Sequence, residues 1–124
     1  MKIGFTNGCY DILHLGHISL LNFCKSKCDY LVVGIDNDKM VKKSKGNDRP
    51  YNNENDRKTF LENIKSVDEV FVFDSHDHLV NKLKELNPDV MVVGSDYKDK
   101  VVVGSEHAKS LVFFEVIDGY STTK

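Results

Sequence analysis

The chain has 124 residues, 40% of them apolar and 29% charged, with a formal net charge of −2. That is the composition of an ordinary globular protein with one core, and it excludes a disordered tract. The slightly acidic balance gives no electrostatic footprint for nucleic acid, and no apolar run approaches the ~18 residues needed to span a bilayer.

In chain order, Lys2–Asn7 ("KIGFTN") reads as a short apolar strand. His17–Lys27 places Ile18, Leu21 and Cys28 on one helical face, with Leu20 and Cys24 beside it. Asp29–Asp36 is a β-branched run bounded by polar residues, hence a second strand. The charge run "KMVKKSKGNDR" that follows reads as a basic loop. Glu54–Ser66, capped by Asn53, is an amphipathic helix expected to close on Phe60, Leu61 and Ile64. "EVFVF" is a strand, "HDHLVNKLKELN" a helix, "DVMVVGS" a strand, and Ser110–Ile117 the last strand. Strands apolar on both faces and alternating with helices predict a parallel sheet covered on both sides. The expected fold is a doubly wound, Rossmann-like α/β sandwich of about five strands, one domain over residues 1–124. Such a fold holds ligands at the carboxyl ends of its strands, where the strand order reverses.

The stretch "GCYDILHLGH", Gly8 to His17, falls at that position. Gly8 permits backbone angles that other residues avoid, and Gly16 allows a ligand close to the chain at a helix start. The helix N-terminus offers free N–H groups and a positive dipole end, which suits phosphate. His14 and His17, three residues apart, can converge on one point and hydrogen-bond phosphate oxygens, more strongly as charge builds. On spacing alone the same residues also fit a pair of surface histidines beside a glycine turn.

"GCYDILHLGH" resembles the GxFDxxHxGH signature of the cytidylyltransferase-like nucleotidyltransferase superfamily, and "GYSTTK" (Gly119–Lys124) resembles its GxSTT segment, which opens the last helix. Two motifs at opposite ends, in the right order, carry this resemblance. "VKKSKGNDRPYNN", "PDVMVVGSDYKD" and "VIDGYSTTK" are similar to the adenylyltransferase branch that makes ADP-heptose from D-glycero-D-manno-heptose 1-phosphate. The nearest competing branch, glycerol-3-phosphate cytidylyltransferase, carries arginines where this chain has Lys65 and Val116. One departure runs the other way: the heptose branch usually has lysine at the place of Val93.

The resemblance implies nucleotidyl transfer: a substrate phosphate oxygen attacks the α-phosphorus of a nucleoside triphosphate, ATP favoured over CTP, and pyrophosphate leaves. His14, His17, Lys42 and Lys45 would be catalytic, gripping phosphates and stabilising charge, with the basic loop closing over them. Thr6, Asn7, Gly8, Tyr10, Gly16, Asp96, Tyr97, Ser121 and Thr122 would bind the nucleotide. Asp11, Arg49 and Arg57 would bind the phosphorylated sugar or polyol. An Asx turn for Asp11, a solvated charge run for the lysines and a surface ion pair for Arg57 are the plain alternatives. Mg²⁺ is expected on the triphosphate rather than in a protein cage, and a homodimer is expected because dimers are common in the family. A nucleotide-binding module with weak turnover is the rival from another class.

Cys9, Cys24 and Cys28 form no even set and follow no export signal in "MKIGFTNGCYD", so reduced thiols, a cytoplasmic setting and no membrane attachment are expected. "HDH" (His76–His78) invites a metal reading, but Ser75 and Asp77 are good opening residues for a helix.

Overall fold

The computed structural model describes residues 1–95 and 101–115. In chain order it contains β1 (Ile3–Gly8), α1 (Leu15–Ser26), β2 (Tyr30–Asp36), α2 (Asp38–Lys45), α3 (Glu54–Glu62), β3 (Glu69–Phe73), α4 (His76–Leu86), β4 (Val90–Gly94), a 3-10 turn (Ser105–His107) and β5 (Leu111–Phe114). The five strands form one parallel sheet in the order β3-β2-β1-β4-β5. The order reverses between β1 and β4, which makes the carboxyl ends of those two strands the ligand position of a Rossmann-like fold.

Alternation along each strand builds two apolar layers. Leu31, Val33, Ile35, Val70, Val90 and Val92 face Leu21 and Cys24 of α1 and Leu61 of α3. Phe5, Val32, Phe73, Met91 and Val93 face Leu79 and Leu83 of α4 on the other side. Each helix start has a side-chain cap. His14, Asn37, Asn53 and Ser75 each accept a backbone N–H from the first turn of α1 to α4, a contact worth about 1 kcal/mol for the usual capping residues.

Four expectations shift. The segment after β2 is helix α2 rather than a loop: Asn37 caps it, but Val41 is its only buried residue, so no apolar period announces it. Helix α3 stops at Glu62, four residues early, where the Asn63 side chain donates to the Thr59 carbonyl and the chain turns. Leu61 is buried as expected, whereas Phe60 is 46% exposed. Helix α1 begins at Leu15, ahead of the expected His17, and His14 becomes its cap. All three cysteines are free thiols; Cys24 is in the core, and Cys28 lies beyond α1 with its thiol donating to the Cys24 carbonyl. Among the described residues no helix is long and apolar enough to cross a membrane.

Candidate active site

A cleft of about 560 Å³ opens at the switch point. Thr6, Asn7, Gly8 and Cys9 form its floor at the end of β1, and Val93 and Gly94 its side at the end of β4. Ser44 and Lys45 of α2 and His76 of α4 contribute the polar wall, and Phe73, Leu79, Val102 and Val103 an apolar one. A second lobe of about 630 Å³ continues between α2 and the start of α4, lined by Lys39, Lys43, Asp74, Ser75 and Asp77. Asp36, Met40, Ser44 and His76 belong to both lobes and mark their junction.

The histidine pair lies at the N-terminus of α1, and neither ring lines either lobe. Nδ1 of His14 accepts the Gly16 N–H at 3.1 Å, and Nδ1 of His17 accepts the His14 N–H at 3.2 Å. With each Nδ1 an acceptor, the neutral rings carry their proton on Nε2. The rings stack at 3.9 Å between centroids. Burial, with His14 as a lesser cause, pushes the His17 pKa down to about 4, so His17 is neutral at pH 7 and donates as imidazole. Tyr10 supports it from below, edge-on at 5.1 Å. Tyr10 sits in the left-handed region (φ 51°) with its ring folded against Gly8, where a Cβ would stand 3.0 Å from the ring.

Several residues expected to be ligands prove to be framework. Tyr10 is 6% exposed and belongs to the core, and burial raises its hydroxyl pKa; its part in the site is to carry His17. Thr6 lines the cleft as expected, with its hydroxyl donating to the Val92 carbonyl at 2.8 Å and tying β1 to β4. Arg57, expected to bind a substrate phosphate, is fully buried and spent on protein. Its Nε donates to Asn52 O at 3.0 Å, Nη1 to Cys9 O at 3.0 Å and Asp36 O at 2.7 Å, and Nη2 to Asp38 Oδ1 at 2.8 Å. The plain alternative, a surface ion pair, fails as well, because a buried guanidinium needs partners for its donors and takes main-chain carbonyls.

Asp11, expected to bind substrate, is 4% exposed and accepts from Arg49 Nε, Tyr51 N and Asn52 N at 2.8–2.9 Å. Burial would raise its pKa, but those donors outweigh it and hold the carboxyl below the usual range. Asp11 therefore fixes the 49–52 segment, which includes a cis Arg49–Pro50 peptide, rather than offering oxygens to a ligand. Arg49 engages Asp11 through Nε only among the described residues, so its terminal nitrogens are available to an anion; its guanidinium lies over the Tyr51 ring.

Of the two lysines, Lys45 lines the cleft, while Lys42, one helical turn earlier, is exposed and lines neither lobe. The structure thus brings Thr6, Asn7, Gly8 and Lys45 together at the cleft, whereas His14, Gly16 and His17 stand at the start of α1 and line neither lobe. Asp96, Tyr97, Ser121 and Thr122 lie outside the described residues. Val93, the departure from the heptose branch, is 7% exposed on the cleft wall. Asp36 and His76 are the site residues that sequence reasoning misses. The rule placing ligands at strand carboxyl ends points to Asp36, the last residue of β2. His76 reads in sequence as part of "HDH", where a helix opening is favoured over a metal site, and it does open α4.

A cleft at the switch point of a doubly wound parallel sheet, with a stacked imidazole pair at the N-terminus of the first helix, defines an α/β domain of the Rossmann-like class. The chain belongs to the cytidylyltransferase-like family, whose model matches residues 5–120. The bifunctional protein HldE of Campylobacter fetus subsp. fetus is 48% identical over 119 residues, 96% of this chain and 26% of that protein. HldE of Helicobacter pylori (strain HPAG1) is 46% identical over 122 residues, 98% of this chain and 26% of that protein. The chain therefore spans about a quarter of the length of these relatives. Among solved structures, a lipopolysaccharide core biosynthesis protein from Thermoplasma volcanium superposes with a TM-score of 0.79 at 27% identity, covering 95% of this chain and 99% of that one. Pantothenate synthetase from Thermus thermophilus shares the fold, with a TM-score of 0.61 at 17% identity over 94% of this chain and 56% of its own.

Proposed function

We propose that this chain is an adenylyltransferase that joins the AMP moiety of ATP to D-glycero-D-manno-heptose 1-phosphate, releasing pyrophosphate and forming ADP-heptose. The observation that carries the reading is the stacked His14–His17 pair, whose Nδ1 atoms are held as acceptors so that the ring proton stands on Nε2. An acceptor phosphate oxygen forms a bond to the α-phosphorus, the bond to the β-phosphate bridging oxygen breaks, and pyrophosphate leaves with the electron pair. No proton need move in this step, so the residues act by position and charge. His14 and His17 donate to the α-phosphoryl oxygens as charge develops there. Lys45 and the terminal nitrogens of Arg49 hold anionic oxygens, and Mg²⁺ arrives on the triphosphate as part of the substrate. The apolar wall of Phe73, Leu79, Val102 and Val103 suits the flat face of a base.

Similarity to HldE proteins over nearly the whole chain supports the heptose reading, as do Lys65 and Val116 at positions where the cytidylyl branch has arginine. The competing reading is CTP-dependent transfer to glycerol 3-phosphate. A pyrophosphate-release panel crossing ATP, CTP, GTP and UTP with heptose 1-phosphate, glycerol 3-phosphate and hexose phosphates tests it. ATP with heptose 1-phosphate should give the highest kcat/KM, by roughly 10- to 100-fold over CTP, because a base with the wrong hydrogen-bond edge leaves pocket groups unpaired. CTP with glycerol 3-phosphate as the best pair would overturn the proposal.

A further inference from the structure

Asp36 is a half-buried carboxylate at the end of β2 that lines both lobes of the cleft. Its neighbours in the frame are all satisfied: Asp11 has three donors, and Asp38 has Arg57. Asp36 differs. Its main-chain carbonyl is taken by Arg57, but among the described residues no cation lies within ion-pair distance of its carboxylate. Burial, the largest influence, raises its pKa; the more distant charges of Arg57, His76 and Lys45 and a hydrogen bond from its own main-chain N–H lower it without outweighing burial.

An acidic side chain is an odd thing to aim into a site that must hold a triphosphate and a sugar phosphate. Negative charge there repels phosphates, so a phosphate group has no business at that point. Hydroxyl groups do. A carboxylate accepts two short, charge-assisted bonds from a vicinal diol, and it gains most where burial has already stripped part of its water. The lobes meet at Asp36, so the group bound there sits between the part of the site beneath β1 and β4 and the lobe between α2 and α4. His76, which lines the same junction, can donate to or accept from a further hydroxyl.

We infer that Asp36, with His76 lining the same junction, is the specificity element that binds a vicinal diol of the acceptor sugar, while the acceptor's phosphate lies on the Lys45 side. The inference rests on the nucleotidyl-transfer reading above and deepens it. The element selects polyhydroxylated phosphates against small or hydroxyl-poor ones, since a phosphate without the diol takes water from the carboxylate and returns no hydroxyl donors.

The test uses the 124-residue chain, ATP and heptose 1-phosphate, and compares Asp36→Asn and Asp36→Ala with the parent. Asp36→Ala should raise the acceptor KM by about 10- to 100-fold, the loss expected for a charged hydrogen-bond pair, and Asp36→Asn by less. The KM for ATP should stay within about twofold in both. Discrimination between heptose 1-phosphate and its monodeoxy analogues should collapse in Asp36→Ala, a change that a merely structural role would not produce. An unchanged acceptor KM in active variants overturns the inference and leaves the nucleotidyl-transfer reading intact. So does a KM effect confined to ATP and absent with 2′-deoxy-ATP, which would assign the diol to the ribose. A fall in kcat restored by added Mg²⁺ would overturn it too, by making Asp36 a metal ligand. No turnover by the parent with any nucleotide and sugar phosphate removes both readings together.

Discussion

Replacing Arg57 separates a framework arginine from a substrate ligand. In the structure its guanidinium donates four hydrogen bonds at 2.7–3.0 Å, three to main-chain carbonyls and one to Asp38, from a side chain with no exposed surface. A buried acceptor that loses its donor costs ~1–3 kcal/mol, but carbonyls at loop edges recover part of that from water. The Asp38 side chain is 34% exposed and rehydrates readily, so its share is small. Arg57→Ala should therefore destabilise by ~3–5 kcal/mol, the range for breaking a buried pair. Against the ~5–15 kcal/mol that holds a typical domain, this brings the chain near its threshold.

The informative variant is Arg57→Lys, which keeps the charge but cannot spread one ammonium over three carbonyls and a carboxylate; a loss of roughly 2–4 kcal/mol is expected. Urea denaturation of the parent, Arg57→Lys, Asp38→Asn and the double variant measures it. Asp38→Asn should cost less when combined with Arg57→Lys than alone, with a coupling of ~1 kcal/mol. Arg57→Lys within ~0.5 kcal/mol of the parent, well inside the error of additivity, combined with collapsed nucleotide or acceptor binding, would refute the argument and return Arg57 to the substrate.

His17 gives a pH-dependent prediction. Its folded pKa of about 4 lies below the ordinary 6.5, so between those values the unfolded chain takes up a proton that the folded chain refuses. Stability is then complete above pH 6.5 and falls as the pH drops toward 4, by ~1–2 kcal/mol once discounted for a ring that is far from fully buried. Urea midpoints from about pH 7 to about pH 4.5, the window those two values bracket, should show this fall, and His17→Gln should flatten it; an equal slope in both would assign it elsewhere. Lys45 and Lys42 form a matched pair on one helix. Lys45→Ala should lower kcat/KM by about 10- to 100-fold and Lys42→Ala by less than about threefold in pyrophosphate release. Equal losses would mean that α2 moves on binding.

The sheet is legible in the sequence because its strands are apolar on both faces, a pattern that β2 ("YLVVGID") and β4 ("VMVVG") show without ambiguity. The histidine pair is legible through its resemblance to a family signature; its spacing alone also fits surface histidines beside a glycine turn. Helix α2 is hidden. A helix with one buried residue has no period to read, and its lysines look the same in a solvated loop. The roles of Asp11 and Arg57 are hidden for a different reason. Local sequence shows that a residue is charged, but its partners lie 38 to 41 residues away for Asp11 and up to 48 for Arg57. Whether a charge faces a ligand or the protein is settled only by the tertiary fold. Asp36 escapes notice because, beside Asp38 and a lysine run, one more acid carries no signal of its own.

These placements share a logic. Asp11 holds the 49–52 segment through Arg49, Tyr51 and Asn52, and the Asn52 side chain returns a bond to the Asp11 carbonyl. The Asn52 carbonyl accepts from Arg57, which also grips the ends of β1 and β2 and the first residue of α2. Glu54 adds a bond from the start of α3 to the N–H of Asp38. One continuous polar network thus joins these segments around the mouth of the cleft, and it spends charged residues that family resemblance alone would assign to substrate. A site that stabilises charge by position gains only if its donors do not have to reorganise during the reaction. Committing Asp11, Arg57 and Asp38 to one another supplies that rigidity, and on the proposed reading His14, His17, Lys45, Arg49 and Asp36 are the residues that meet the ligands. Loosening the network should therefore lower kcat even where no substituted atom touches substrate, because the imidazoles and Lys45 would have to be repositioned in each turnover.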